Sequence, residues 1–359
     1  MTASLASTPT DPAILSPQAV TPGSGKYDDD SSGGSDAPGG AANPGGSGVS
    51  GGRCRATRRS FTQGLLTNKK ALAGTAILLL FIALALLAPV LFPDNPSKIT
   101  GMASEEPSAE HWLGTTAKGQ DVLALTIHGA RSSLLVGLTV GLASTLIGIV
   151  VGLASAYFGK FVDEALSVTT NVFLLLPGLP LLVVLAAFLP PGLGTVIVVL
   201  IVTGWAGSAR VLRSQALSIR SKDFVAAAVV SGEGPLRIMF REILPNMASN
   251  VMSTLLGCVI FGIGAQAGLE FLGLGDVSTV SWGTNLYWAG NEGALLTGSW
   301  WVFVPSGLCI ALVAFALALI NYAVDEVTNP RLRKIRAPKD RVPKTAAHKS
   351  GSSHSKAAQ

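Results

Sequence analysis

Six apolar stretches, each near the length of a bilayer crossing, constrain this chain more than any other feature. A helix needs about 20 apolar residues to span the hydrocarbon. The stretches run over 71–92, 132–157, 167–189, 194–216, 246–272 and 300–322. The third and fourth are parted only by Pro190-Pro191-Gly192-Leu193, a turn signal. Lipid offers the backbone no hydrogen-bond partners, so segments of this length must be helical. The expected fold class is therefore all-α: a polytopic membrane protein with six transmembrane helices, short cytoplasmic helices between the fourth and fifth, and a disordered N-terminal tail.

Charge placement orients the six spans. An even number of crossings puts both chain ends on one side, and basic residues mark the cytoplasmic side. Of the 26 Lys and Arg, seven precede residue 71 and nine follow residue 325. Lys160, Arg210, Arg213, Arg220, Lys222, Arg237 and Arg241 fall on the same side, leaving only Lys98, Lys118 and Arg131 outside. The N- and C-termini are thus expected in the cytoplasm, with the chain multi-pass in the cell membrane. The formal charge of +5 reports orientation, and no nucleic-acid partner is expected. Only 13% of residues are charged, about half the usual share of a soluble domain, which argues against a water-soluble globule.

The expected organisation is a low-complexity disordered tail at 1–52, a basic cytoplasmic flank at 53–70, a first helix at 71–92, an outer loop at 93–131, a membrane core at 132–325 and a basic cytoplasmic tail at 326–359. The tail is rich in Gly, Ser, Ala, Pro, Thr and Asp and cannot bury enough surface to offset its ordering entropy. Cys54, Cys258 and Cys309 have no metal or disulfide spacing, and the four histidines are scattered, so no metal site and no catalytic residue is expected.

Several residues inside the spans are candidates for more than packing. Gly137, Gly141, Gly148 and Gly152 share a face of the second span, and Gly257, Gly264 and Gly268 repeat the pattern in the fifth; small residues let helices approach closely in lipid. Pro177 and Pro180 fall at mid-depth in the third span. They read either as a structural kink or as a break lining a pathway, because carbonyls freed by proline must face protein or water. Gln266 and Glu270, near the outer end of the fifth span, are further pathway candidates. Trp282, Tyr287 and Trp288 near the last outer loop read either as an interfacial aromatic belt or as a surface for an outer partner or substrate.

The inner loop between spans four and five carries the sharpest signal. It reads as an Ala-rich helix with Ala226, Ala227 and Ala228, a Gly232-Glu233-Gly234-Pro235 turn and a second short helix closed by Pro245. Leu236, Met239, Phe240 and Ile243 form one apolar stripe, with Arg237 and Arg241 on a neighbouring face. Such a helix, with no core of its own, needs a membrane surface or a protein partner.

This loop resembles the E-A-A-x3-G-x9-I-x-L-P signature of ABC importer permeases, through Ala227, Ala228, Gly232, Leu244 and Pro245. Ala226 stands in place of the leading Glu, and Ile243 lies one place after the signature's Ile, whose slot holds Glu242. Further segments are similar to the dipeptide/oligopeptide/nickel type: His111-Trp112-Leu113-Gly114-Thr115 with Gly119-Gln120-Asp121, Gly129-Ala130-Arg131-Ser132-Ser133-Leu134, Phe271-Leu272-Gly273-Leu274-Gly275, Ser281-Trp282-Gly283, and the ending Asn329-Pro330-Arg331. Thr116 and Gln120 depart from that pattern.

The resemblance implies a permease subunit of an ATP-driven importer, with residues 222–245 as the element that couples to ATPases. It implies four partners around it: a homologous permease in a heterodimer, two ABC ATPase subunits and an extracytoplasmic solute-binding protein, all in membrane lipid. No G-x-x-x-x-G-K-[ST] run occurs, so the chain is expected to bind no cofactor and to be no enzyme, with ATP and Mg on the partner subunits. Di- or oligopeptide is the expected cargo, with oligosaccharide or nickel as alternatives. An exporter or channel subunit is the alternative class.

Overall fold

The computed structural model describes residues 68–176 and 178–328. The tail at 1–52, the basic cluster Arg53, Arg55, Arg58 and Arg59, Pro177, and the ending from Asn329 onward lie outside the described residues. The described chain is helical, with only two isolated antiparallel bridges, Ile99 with Gln120 and Thr115 with Asp121.

Helix α1 spans Lys69–Leu91, with the Asn68 side chain accepting from Lys70 N at 3.1 Å as its cap. Helix α2, Val122–Phe158, is 37 residues and thus about 55 Å long, well beyond the hydrocarbon thickness. It begins ahead of the apolar stretch because Asp121 caps it, accepting from Leu123 N at 2.7 Å and Ala124 N at 3.1 Å. The first turns of α2 therefore stand ahead of the apolar stretch, within the 93–131 segment.

The third stretch is not one straight helix. Helix α3, Lys160–Leu175, and helix α4, Gly178–Phe188, meet at a bend of 90°. The bend falls where the proline pair predicts a break. Pro180 itself sits in the first turn of α4, where its missing N–H would have had no helical partner anyway. Helices α5, Leu193–Arg220, α6, Asp223–Val230, and the short α7, Pro235–Arg237, follow. A π-helical turn over Ile238–Ile243 leads into α8, Leu244–Asn246, and then α9, Ala248–Phe271. Helix α10, Trp282–Asn291, and helix α11, Trp300–Thr328, follow and are the last of the described helices.

Five helices, α1, α2, α5, α9 and α11, are long and apolar enough to cross a membrane, and the bent α3–α4 pair makes a sixth crossing. Packing supplies the reason to count that pair as one span. Val136 and Val140 of α2 cluster with Val196 and Leu200 of α5, while Leu153 and Ala156 cluster with Leu212 and Ala216. The two helices therefore run parallel, and the chain between them must climb back roughly 33 Å from the end of α2 to the level of Val136. Helix α9 runs antiparallel to α2, with Ile263 against Gly137 and Val259 against Gly141. Helices α1 and α11 are antiparallel, and Asn68 Nδ2 donates to Glu326 Oε2 at 2.9 Å. Both ends of the described chain thus lie at the same end of the bundle.

The glycine stripes divide. Gly137, Gly141, Gly148 and Gly152 each meet a neighbouring helix where a Cβ would not fit. Gly257, Gly264 and Gly268 meet nothing within 4 Å, and Gly262 is the residue of α9 that packs against Val140. Equal spacing hid this difference, because which face of α9 meets α2 is set by the rotation of the packed helix and not by the glycine pattern.

Candidate functional site

The loop between α5 and α9 folds as two helical pieces joined by a glycine turn. Asp223 sits in the first turn of α6, where a carboxylate suits the positive end of the helix. Gly232, at φ +76°, ends the helix in the left-handed conformation, with Ser231 N bonding Ala227 O at 2.9 Å and Glu233 N bonding Ala228 O at 3.2 Å. Gly234 then extends the chain into Pro235 at the start of α7. Glu233 reaches back to Arg237 at 3.4 Å.

Burial differs from the expected stripe. Ile238, Met239 and Ile243 are buried, whereas Leu236 and Phe240 are 65% and 50% exposed. The π turn explains this: bonding between residues five apart puts Ile238 and Ile243 on one face. With Val225 of α6 and Met247, they form a cluster with Leu153, Ala156, Leu212 and Ala216 at the ends of α2 and α5. Val225, Ile238 and Met247 are anchors that a 3.6-residue period does not single out. The opposite face presents Phe224, Val230, Leu236 and Phe240 with Ala226, Ala227, Arg237, Arg241 and Pro245 exposed, while Ala228 and Leu244 are half-buried. Apolar and cationic groups thus stand out from the bundle on a base wedged between α2 and α5. The loop is thus in packing contact with both helices.

A polar network lies above that base. Arg213 of α5 donates from Nε and Nη2 to the two oxygens of Asp163 at 2.6 and 2.7 Å. Ser155 of α2 donates to the same carboxylate and accepts from Arg213 at 3.0 Å. Arg210 donates to Asn171 at 2.6 Å. The start of α3 is thereby tied to α2 and α5. The sequence carries the signal only as separate charges, brought together because α2 and α5 run parallel.

The outer pathway candidates are not on an open surface. Gln266 is fully buried and Glu270 is 3% exposed. Gln266 Nε2 donates to Glu270 Oε1 at 3.0 Å, the Ser281 hydroxyl donates to Glu270 Oε2, and a Cβ on Gly283 would strike that carboxylate. Ser281 also caps α10 in a reciprocal pair with Thr284. Within this chain Gln266 and Glu270 therefore fasten α10 to α9. Trp282 corrects the expectation of an outer contact surface: it is fully buried, edge-on to Phe81, with its backbone N–H donating to Ser133 Oγ and its indole N–H to Thr126 O. Tyr287 is half-buried against Trp288, and Trp288 lines a cavity. Beside it, Ser278 and Thr279 donate to the Asp276 carboxyl and hold it below its ordinary pKa. Pro180 lies at the bend of the third span, with Pro177 outside the described residues. Among the described residues no three His, Cys, Asp or Glu gather as a metal site would require.

Comparison with known proteins gives concordant matches. Residues 144–334 match the family described as binding-protein-dependent transport system inner membrane component, and residues 58–107 match the N-terminal transmembrane domain of oligopeptide transport permease C. The chain is 35% identical over 285 residues to the dipeptide transport system permease protein DppC of Bacillus subtilis, covering 77% of this chain and 87% of that one. It is 32% identical to the oligopeptide transport system permease protein OppC of Mycobacterium tuberculosis, covering 78% and 97%. Among solved structures it is similar to an inward-facing MetNI methionine ABC transporter chain, at a TM-score of 0.48 and 23% identity over 57% of this chain and 95% of that one.

Proposed function

The chain belongs to the inner membrane components of binding-protein-dependent transport systems, and from that premise we propose that it is the permease half that carries di- or oligopeptides through an ATP-driven importer. One observation supports the mechanism most directly: a loop anchored between α2 and α5 holds exposed Phe224, Leu236, Phe240, Arg237 and Arg241 away from the bundle. Partner ATPases dock on this face. When ATP draws them together, the loop pushes the ends of α2 and α5, and the spans rock between inward- and outward-open states. ATP shifts this equilibrium only as far as it binds one state better than the other. ATP and Mg stay on the partners. A homologous permease supplies the other half of the pathway, and the loop faces the cytoplasm with both chain ends.

Peptide is favoured over oligosaccharide on two grounds. The relatives named above are dipeptide and oligopeptide permeases. Two of the aromatic rings that would suit a sugar are also taken up, although Trp300 stays exposed: Trp282 is buried, and Lys118 Nζ lies 3.1 Å from the centroid of the Trp288 ring. The test is uptake of labelled tri-alanine and of labelled maltose in cells lacking this chain and in cells complemented with it. Tri-alanine uptake should vanish and return. Loss and recovery of maltose uptake alone would overturn the peptide reading.

A further inference from the structure

A cavity of about 380 Å³ opens on the outer side of the bundle, where the outer loop, the turn after α9, α10 and α11 converge. Its volume falls in the range of small-ligand sites. Its walls are fixed by hydrogen bonds that do not involve a ligand. Gln120 Nε2 donates to Ser97 O at 2.9 Å, and Trp288 Nε1 donates to Val277 O at 3.1 Å. Asn285 Nδ2 donates to both Leu125 O at 3.1 Å and Ser306 Oγ at 3.2 Å. A site held open in this way spends no ordering entropy when a ligand arrives.

The bonds that hold the walls leave a defined set of polar groups over. Asn285 uses both amide hydrogens, so its Oδ1 remains an acceptor. Gln120 donates, so its Oε1 remains one too. Ser306 accepts from Asn285 and is 1% exposed, leaving its hydroxyl hydrogen to seek an acceptor. Acceptors and a donor side by side match a planar amide, which offers one N–H and one C=O. Lys118 is the one charged side chain among the described residues lining the cavity. It is held over Trp288 and lies 3.4 Å from Glu292, so part of its donor capacity remains. With Lys118 on the ring, that face of Trp288 is not bare for a sugar to stack on.

We propose that this cavity is an outer subsite for a short peptide, bound through its main-chain amides to Gln120, Asn285 and Ser306 with its terminal carboxylate toward Lys118. The inference rests on the peptide-permease reading and deepens it, placing a peptide contact within this single chain on the outer side. A peptide released at the outer face meets this site before the span interior. The charge assigns the direction: Lys118, the one charged side chain of the lining among the described residues, keeps donors beyond its ion pair with Glu292 for the carboxylate.

The test uses the full transporter containing this chain, purified into nanodiscs without the solute-binding protein. Labelled tri-alanine, tri-alanine amide and maltose are measured by equilibrium dialysis. Two variants report on the site. Val280→Phe fills the cavity from a half-buried wall position and removes no side-chain hydrogen bond; Gln120→Leu removes the Oε1 acceptor, and with it the wall bond to Ser97 O, at nearly constant size. Tri-alanine should bind the wild type, weaken at least tenfold in Val280→Phe and several-fold in Gln120→Leu, and bind more tightly than its amide. Tri-alanine affinity unchanged in both variants, or maltose bound in its place, would overturn the proposal. Tri-alanine uptake in cells separates the two readings. If wild-type cells take up the peptide while binding ignores both variants, the subsite fails and the permease reading stands. If wild-type cells take up maltose and no peptide, both fail.

Discussion

Replacing Gly152 by alanine should destabilise the bundle, whereas the same change at Gly264 should not. A Cβ at Gly152 would lie 2.9 Å from the backbone N of Arg213, 3.1 Å from Ala209 O and 3.2 Å from Leu212 Cβ. Two of these three atoms are backbone, so no rotamer change relieves the contact. Helix α5 cannot easily retreat, because the Arg213 side chain is held by Asp163 and Ser155. Forcing a methyl into a packed contact of this kind costs about 1–3 kcal/mol. At roughly 2–4 °C per kcal/mol, the melting temperature should fall by roughly 2–12 °C. At Gly264 nothing lies within 4 Å, so alanine should change stability by less than about 0.5 kcal/mol. The assay is a thermal melt of the full-length chain in detergent, followed by size-exclusion fluorescence. Equal melting temperatures for Gly152→Ala and Gly264→Ala would refute the parallel α2–α5 contact. In the assembled transporter, a cost at Gly264 that appears only there would place the Gly257–Gly264–Gly268 face against the second permease.

Three further outcomes are expected. Gly232→Val forces a β-branched residue to φ +76°, costing about 1–2 kcal/mol in the turn; uptake should fall sharply with the chain still inserted, and normal ATP-coupled uptake would refute the coupling role. On a cysteine-free background, a cysteine at Asp276 should react with an impermeant thiol reagent added outside, and one at Glu233 only after permeabilisation; the reverse pattern would invert the topology. Glu270→Ala strands the Gln266 amide, at about 1–3 kcal/mol for a buried donor left unpaired, leaves the Ser281 hydroxyl only Thr284 Oγ1 at 3.1 Å, and should loosen α10; unchanged protease resistance of the 276–291 region would refute its role as a fastener.

How much was legible in the sequence depended on whether a feature is local. The spans were, because about 20 consecutive apolar residues have few fates other than crossing lipid. So was the break near Pro180, because proline acts on its own turn. The helix–turn–helix form of the loop followed from Asp223, Gly232, Gly234 and Pro235, each acting within a few residues. The face of the second piece was not legible, because a 3.6-residue period assigns Leu236 and Phe240 to the buried side and the π turn moves Ile238 there instead.

The outer candidates show the same division. Trp282, Gln266 and Glu270 stand in the sequence as polar or aromatic residues near a membrane boundary, a description that fits a pathway, an interface or a core equally well. Their burial follows from contacts that no local pattern contains. Glu270 meets Ser281 eleven residues on, and Trp282 meets Ser133 and Thr126 about 150 residues back. By itself, then, the sequence determined that the chain is a helical membrane protein with an amphipathic loop between its fourth and fifth apolar stretches, because apolar run length and turn residues act locally. Only the tertiary structure decided which glycines meet a helix, which side of the loop is the anchor and which aromatic residues face outward. Those properties depend on the rotation and parallel course of α2, α5 and α9, and rotation is settled only when the helices pack.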